Sequence, residues 1–129
     1  MSDFSTALTV TAGALRTQAT RLRHVAENIS NTDTPGYRRK MITFRSETTP
    51  EGVSTVKPGR VQLDKSDLRE IYDPSHPLAD DSGNYEGSNV DVMIEVADAR
   101  EAQRSYEANL KMFDQTRQMS AGLMELLRR

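Results

Sequence analysis

The sequence contains no cysteine and no tryptophan, and only three Phe and four Tyr among its 129 residues. Without cysteine there is no disulfide framework and no thiolate metal site. Long apolar runs are also missing. No stretch approaches the ~20 apolar residues that a membrane-spanning helix needs. Met1 to Leu15 lacks a basic leader and a continuous apolar run, since Thr and Gly interrupt it. It does not read as a secretory signal, and on these rules alone the chain reads as cytoplasmic. An excess of charge of one sign is missing too, with 17 Lys and Arg against 19 Asp and Glu. The net charge is −2, so bulk charge gives no reason to expect nucleic acid.

What remains is small and polar. Apolar residues make up 36% and mean hydropathy is −0.67. One domain of this size has a thin core if it stands alone, which points to apolar surface shared with other subunits. Charge is unevenly spread, with a balance of +4 over residues 1–45, −8 over 46–98 and +2 over 99–129. Solvated faces and complementary contacts between subunits both account for that pattern.

The chain divides into three parts: residues 1–31, 32–90 and 91–129. The first is a helix from about Phe4 to Asn28, with Ser2 or Asp3 as its N-cap. Leu8, Leu15, Leu22 and Ile29 recur every seventh residue, and Ala12, Ala19 and Ala26 fall between them. The alternating spacing of four and three lays these side chains on one narrow stripe. The last part is a helix from about Asp91 to Leu127, with Asp91 as N-cap. Its apolar face runs through Val92, Val96, Ala99, Ala102, Tyr106, Leu110, Phe113, Leu123 and Leu127. At roughly 50 Å it is long for so short a chain and suits a coiled coil or an extended assembly. The middle holds all five Pro and five of the seven Gly. Short strands are expected at Met41–Phe44, Val53–Lys57, Arg60–Leu63 and Leu68–Tyr72. The fold class is therefore mainly α, with long terminal helices pairing as a coiled coil around an irregular, small β insert.

The most informative segment is Ala26-Glu27-Asn28-Ile29-Ser30-Asn31-Thr32-Asp33-Thr34-Pro35-Gly36-Tyr37-Arg38-Arg39. Asn tolerates left-handed backbone, so Asn28 or Asn31 is expected to end the first helix. Thr34-Pro35-Gly36-Tyr37 suits a type II turn, with Pro at the second position and Gly taking positive φ at the third. This segment resembles the N-terminal signature of the flagellar rod and hook proteins, Ala-x-Asn-Ile-Ala-Asn-x-x-Thr-Pro-Gly-Tyr followed by a basic residue. Ala26, Asn28, Ile29, Asn31, Thr34, Pro35, Gly36, Tyr37 and Arg38 match it, with Ser30 in place of Ala. Arg104, Tyr106, Glu107, Ala108 and Asn109 resemble the C-terminal core of the same family, Arg-x-Tyr-Glu-Ala-Asn. Tyr72-Asp73-Pro74-Ser75-His76-Pro77-Leu78-Ala79-Asp80, then Gly83, then Asn89-Val90-Asp91 and Glu95, is similar to proximal-rod members. It departs from them at Ser75, at Ser88 and in the order Gly83-Asn84-Tyr85.

The resemblance implies a structural subunit of a tubular bacterial axle and no enzyme. It implies that Asn28, Ile29, Asn31, Thr34, Pro35, Gly36 and Tyr37 set the turn that sends the chain outward. Leu8, Ala12, Leu15, Ala19, Leu22, Ala26, Ala99, Tyr106, Ala108, Asn109, Leu110 and Phe113 would form assembly seams. Arg38, Arg39, Arg104 and Glu107 would make charge contacts between subunits. The implied partners are other rod proteins, copies of the chain itself, the junction protein near the membrane ring and the flagellar type III export apparatus. The implied location is a periplasm-crossing rod reached without a cleaved signal. No cofactor, nucleic acid or small-molecule substrate is implied.

Other readings of the same residues are weaker. The helices alone would also suit a cytosolic coiled-coil adaptor. Asp73, His76, Asp80, Asp81 and Glu86 carry metal-ligating groups, but His76 lies between Pro74 and Pro77 in a turn with no second His nearby. Asp73 more naturally caps that turn. His24 lies off the Leu/Ala stripe and is expected at the surface.

Overall fold

The computed structural model describes residues 2–128. Helix α1 spans Ser2–Ser30 and helix α2 spans Val92–Leu127. Between them lie strands β1 (Lys40–Thr48), β2 (Ser54–Leu63), β3 (Glu70–Tyr72) and β4 (Asn84–Glu86). The two helices and a small antiparallel strand region thus follow the expected plan. Ser2 and Asp3 already lie inside α1, so neither is its cap. Asp91 is the N-cap of α2, and its carboxylate accepts the Met93 amide at 3.0 Å.

The helices run antiparallel. Asn28, in the last turn of α1, bonds Glu95 in the first turn of α2. Earlier in α1, Arg21 reaches Asp98 and Glu101, each at 3.4 Å. At ~1.5 Å per residue, the 36 residues of α2 extend over roughly 54 Å and outreach the 29 of α1.

Strands β1 and β2 form a long antiparallel ribbon. The ribbon lies on α1 at Gly13, where a Cβ would come within 2.9 Å of the Val56 carbonyl oxygen. A larger side chain there would lift the ribbon off the helix, so glycine is what allows the close approach. One turn on, the Thr17 hydroxyl donates to the Gly13 carbonyl at 2.8 Å and lies 3.3 Å from the Val56 carbonyl. The second ribbon, β3 with β4, is only three residues long on each side. The strands expected at Val53–Lys57 and Arg60–Leu63 are one continuous β2 running through Pro58 and Gly59. A register shift between Ile42 and Phe44 absorbs the irregularity. Each strand of a two-stranded ribbon has a free edge, so a proline is tolerated there.

The interior inverts the usual pattern. Among the described residues, only Val25, Val90 and Ala102 are fully buried hydrophobic side chains. The largest fully buried side chains include Glu95, Asn28, Thr17 and Ser88. Meanwhile Met93, Leu126, Leu127, Met112, Met119 and Met124 stand more than half exposed along α2.

Candidate functional site: a polar junction at the base of the helices

The sequence signature folds into one junction that joins α1, the turn after it, the start of β1 and the start of α2. Helix α1 ends at Ser30 without a left-handed residue. No non-glycine residue among those described has positive φ, so the expectation that Asn28 or Asn31 ends the helix that way is corrected. Asn31, the first residue after the helix, instead donates from its side chain to the Glu27 carbonyl at 2.9 Å and caps the last turn. Thr34-Pro35-Gly36-Tyr37 closes as a turn, with the Tyr37 amide donating to the Thr34 carbonyl at 3.2 Å and Gly36 at φ 75. The Gly36 amide then donates to the Glu86 and Gly87 carbonyls at 3.2 and 3.1 Å, tying the turn to β4.

Asn28 is the centre of the junction. It is 1% exposed, and both ends of its amide are used. Its Nδ2 donates to the Lys40 carbonyl at 2.9 Å and to Glu95 Oε2 at 3.2 Å. Its Oδ1 accepts the Lys40 amide at 2.9 Å and the Tyr37 hydroxyl at 2.8 Å. The side chain of a helical residue thus pairs with a strand residue as a neighbouring strand would. A buried amide with four partners leaves nothing unsatisfied. Burial, with Glu27 and Glu95 nearby, raises the Tyr37 pKa and keeps its hydroxyl a donor.

Arg39 supplies the charge. Its Nε donates to Glu95 Oε1, its Nη2 to Asp98 Oδ2 at 3.0 Å, and Asp64 Oδ2 lies 3.9 Å from its Nη1. Burial alone would pull the guanidinium pKa down. The hydrogen bond and charge of Glu95, with Asp98 and Asp64, outweigh burial and raise it. Glu95 is fully buried, so Arg39 and Asn28 are its compensation for leaving water. On the outer flank Lys40 pairs with Glu27 at 2.5 Å, and that hydrogen bond holds the Glu27 carboxyl below its ordinary value.

The loop before α2 closes the far side. Asn89 Oδ1 accepts the Arg39 amide at 2.6 Å, and its Nδ2 donates to the Asp64 and Ser66 carbonyls at 2.9 and 3.2 Å. Ser88 Oγ donates to the Thr32 carbonyl. Arg38 donates to the Asp64 and Ser66 carbonyls at 3.2 and 2.9 Å. Arg38 and Arg39, expected to face other subunits, are therefore both engaged within the chain.

The structure divides the expected seam residues. Leu8, Ala12, Leu15 and Leu22 are half-buried, whereas Ala19, Ala26 and Ile29 are exposed. Among the described residues, Thr11, Gly13, Thr17, Val25 and Asn28 are the fully buried positions of α1, and they lie to one side of the Leu/Ala stripe. On α2 the inward positions run Glu95, Ala99, Ala102, Tyr106, Asn109, Phe113, Thr116 and Ser120. Ala108 and Leu110 face away. Arg104 and Glu107 are exposed and stand outside every ion pair among the described residues.

The Asp73–Glu86 region is built as turns. Asp73 Oδ1 accepts from Ser75, and Asp80 Oδ1 accepts the Ser82 and Asn84 amides at 2.9 and 3.0 Å. The His76 ring stacks on Tyr85 with centroids 3.9 Å apart, and its Nδ1 accepts the Leu78 amide. His24 is not the surface residue expected. Its side chain is 13% exposed and packs beside β1, in a groove shared with Val25, Met41 and Ile42.

Sequence reading did not foresee the roles of Lys40, Asn89, Glu95 and Asp98. One signal was present: Glu95 stands on the same helical stripe as Ala102, where a lone carboxylate demands a buried partner.

Two family models match the chain. Residues 8–38 match "Flagella basal body rod protein", and residues 81–126 match "Flagellar basal body rod FlgEFG protein C-terminal". The flagellar basal-body rod protein FlgC of Agrobacterium fabrum is 45% identical over 136 residues, covering 99% of this chain and 98% of its own. The chain belongs to the flagellar basal-body rod protein family. FlgC of Salmonella typhimurium is 31% identical over 117 residues, covering 85% of this chain and 87% of its own. FlgC of Bacillus subtilis is 31% identical over 144 residues, covering 92% and 95%. The chain is accordingly a structural subunit of the flagellar basal body, of the rod type that the FlgC proteins represent. The matched segment 8–38 contains Asn28 and the turn, and 81–126 contains Asn89, Glu95 and Asp98, while Arg39 and Lys40 follow directly after the first segment.

Proposed function

We propose that the chain is an axle subunit whose terminal helices pack, as coiled-coil seams, against those of neighbouring subunits to form the wall of a tube. The axle would transmit torque through the periplasm, and its lumen would pass exported subunits. The neighbours would be copies of the chain, other rod proteins and the junction protein at the membrane ring. Export through the flagellar type III apparatus without a cleaved signal accounts for that location. Residues 1–31 and 91–129 act as the two core helices, and 32–90 as the outward insert. Arg104 and Glu107, exposed on α2, are the charges available for contacts between subunits.

One observation carries this reading: the buried side chains are largely polar, while the apolar side chains of α2 and the Ala19 and Ala26 positions of α1 stand exposed. A chain that buries so little apolar surface by itself gains it on association. Small residues on an exposed stripe let another helix approach closely. Contacts that repeat head to tail without closing a ring generate a helical tube.

Ala26→Arg tests the seam. Ala26 is exposed in the single chain, so the variant keeps its thermal unfolding midpoint. In cells it should block rod assembly and swimming. Normal swimming with this variant would refute the seam.

A further inference from the structure

All three arms of the molecule come together at the polar junction. Among the described elements, β1 and β2 pack on α1 and on each other, and no strand packs on α2. The link from the β1–β2 ribbon to α2 is made by the Arg39 side chain, which grips Glu95 and, one turn on, Asp98. Asn28 grips the same Glu95 from α1 while holding the Lys40 backbone on both sides.

We propose that this clasp is an orientation device: it fixes the rotation of α2 and the angle of the ribbon against α1, and it serves uniqueness of geometry rather than net stability. A buried ion pair loses in desolvation much of what it gains in attraction, and an apolar replacement of similar volume is often no less stable. Apolar contact is also non-directional. A joint made of apolar surfaces alone would accept several rotations. The Arg39 fork on two carboxylates, with an amide satisfied by four partners, accepts one. A subunit that repeats in an assembly carries any angular error into every neighbour, so a fixed angle matters more here than in an isolated domain.

The absence of cysteine makes the test direct. Paired cysteines at Ser46 in β1 and Gln103 in α2, both exposed, take spin labels on the full chain. Pulsed electron paramagnetic resonance then reads the ribbon-to-helix distance. With the clasp intact, one narrow distribution is expected. With Arg39→Met and Glu95→Leu together, the urea midpoint should hold or rise while the distribution broadens into several components. Arg39→Lys keeps the charge without the fork and should broaden it partially. A double variant with the narrow distribution of the intact clasp would overturn the proposal. So would a double variant that unfolds at clearly lower urea, since the clasp would then serve stability. An Arg39→Lys chain as narrow as the parent would show that charge alone suffices and would equally overturn it. None of these readouts involves assembly, so the proposal stands or fails separately from the axle reading.

Discussion

Replacing Asn28 by Ala removes four hydrogen bonds at one stroke: two to the Lys40 backbone, one to Glu95 and one to the Tyr37 hydroxyl. Each is worth about 1 kcal/mol net, and a buried group left unpaired costs about 1–3 kcal/mol. Glu95 is fully buried and keeps only Arg39, while half-buried Tyr37 can turn to water. Alanine returns roughly 0.5 kcal/mol as a better helix former. The balance is a loss of about 3 kcal/mol. Native chains hold only ~5–15 kcal/mol, and a chain with three fully buried apolar side chains among its described residues belongs at the low end. With a urea slope near ~2 kcal/mol per molar, the midpoint should fall by about 1.5 M. Urea titration followed by far-ultraviolet circular dichroism measures this, with Ser30→Ala as control, because that exposed hydroxyl bonds only its own helix backbone at Ala26. Asn28→Asp sharpens the test, because it sets a second carboxylate against Glu95. Like charge raises the pKa of the new carboxyl, so this variant should recover stability as pH falls. An Asn28→Ala loss below about 1 kcal/mol would refute the view that the amide organises the junction.

Glycine supplies a contrasted pair. Gly13→Ala drives a Cβ against the Val56 carbonyl and should lower stability by about 1–2 kcal/mol despite better helix propensity. Gly122→Ala meets nothing within 4 Å on α2 and should raise helix stability by about 0.5–1 kcal/mol, read by thermal melting. Acid should weaken the fold. Glu27, bonded to Lys40, and Asp64, bonded to Ser66 and near Arg39, have depressed pKa values. Their contribution is present above the ordinary values of 4.5 and 3.8 and is lost as pH falls through the lower folded values. Base should weaken it too. Tyr37 is raised above 10.0, so its contribution is complete below that value and disappears as pH climbs through the folded one. Urea midpoints across the pH range check both limbs, and a midpoint flat through the acid limb would refute the first.

Both helices were legible in the sequence because propensity, caps and periodicity agree over long windows. α1 and α2 end within about two residues of expectation, within the usual uncertainty of helix boundaries. The turn at Pro35 and Gly36 was legible for a similar reason, since each residue has few alternatives there. The ribbon was half-legible. Pro58 and Gly59 read as a break, yet a register shift opposite them keeps β2 whole. Strand β4 was missed because three residues carry no period, and their conformation is decided by β3 across the intervening turn.

The least legible feature was which side of α1 faces inward. Hydrophobic periodicity finds Leu8, Leu15 and Leu22, but the fully buried positions include Thr11, Gly13, Thr17 and Asn28. Those residues are buried by hydrogen bonding and by close backbone approach, and a hydropathy pattern weighs such positions as exposed. The two faces of α1 therefore differ in how far the single chain uses them. The polar and glycine positions are satisfied within the chain, where Val56, Lys40 and Glu95 meet them. The Leu/Ala periodicity is only partly used there, with Ala19 and Ala26 left in solvent. A regular stripe that the single chain does not fill is explained if its period is set by helices of other subunits. That same division predicts the order of sensitivity: substitutions at Asn28, Gly13 or Glu95 act on the fold of one chain, and substitutions at Ala19 or Ala26 act only when chains meet.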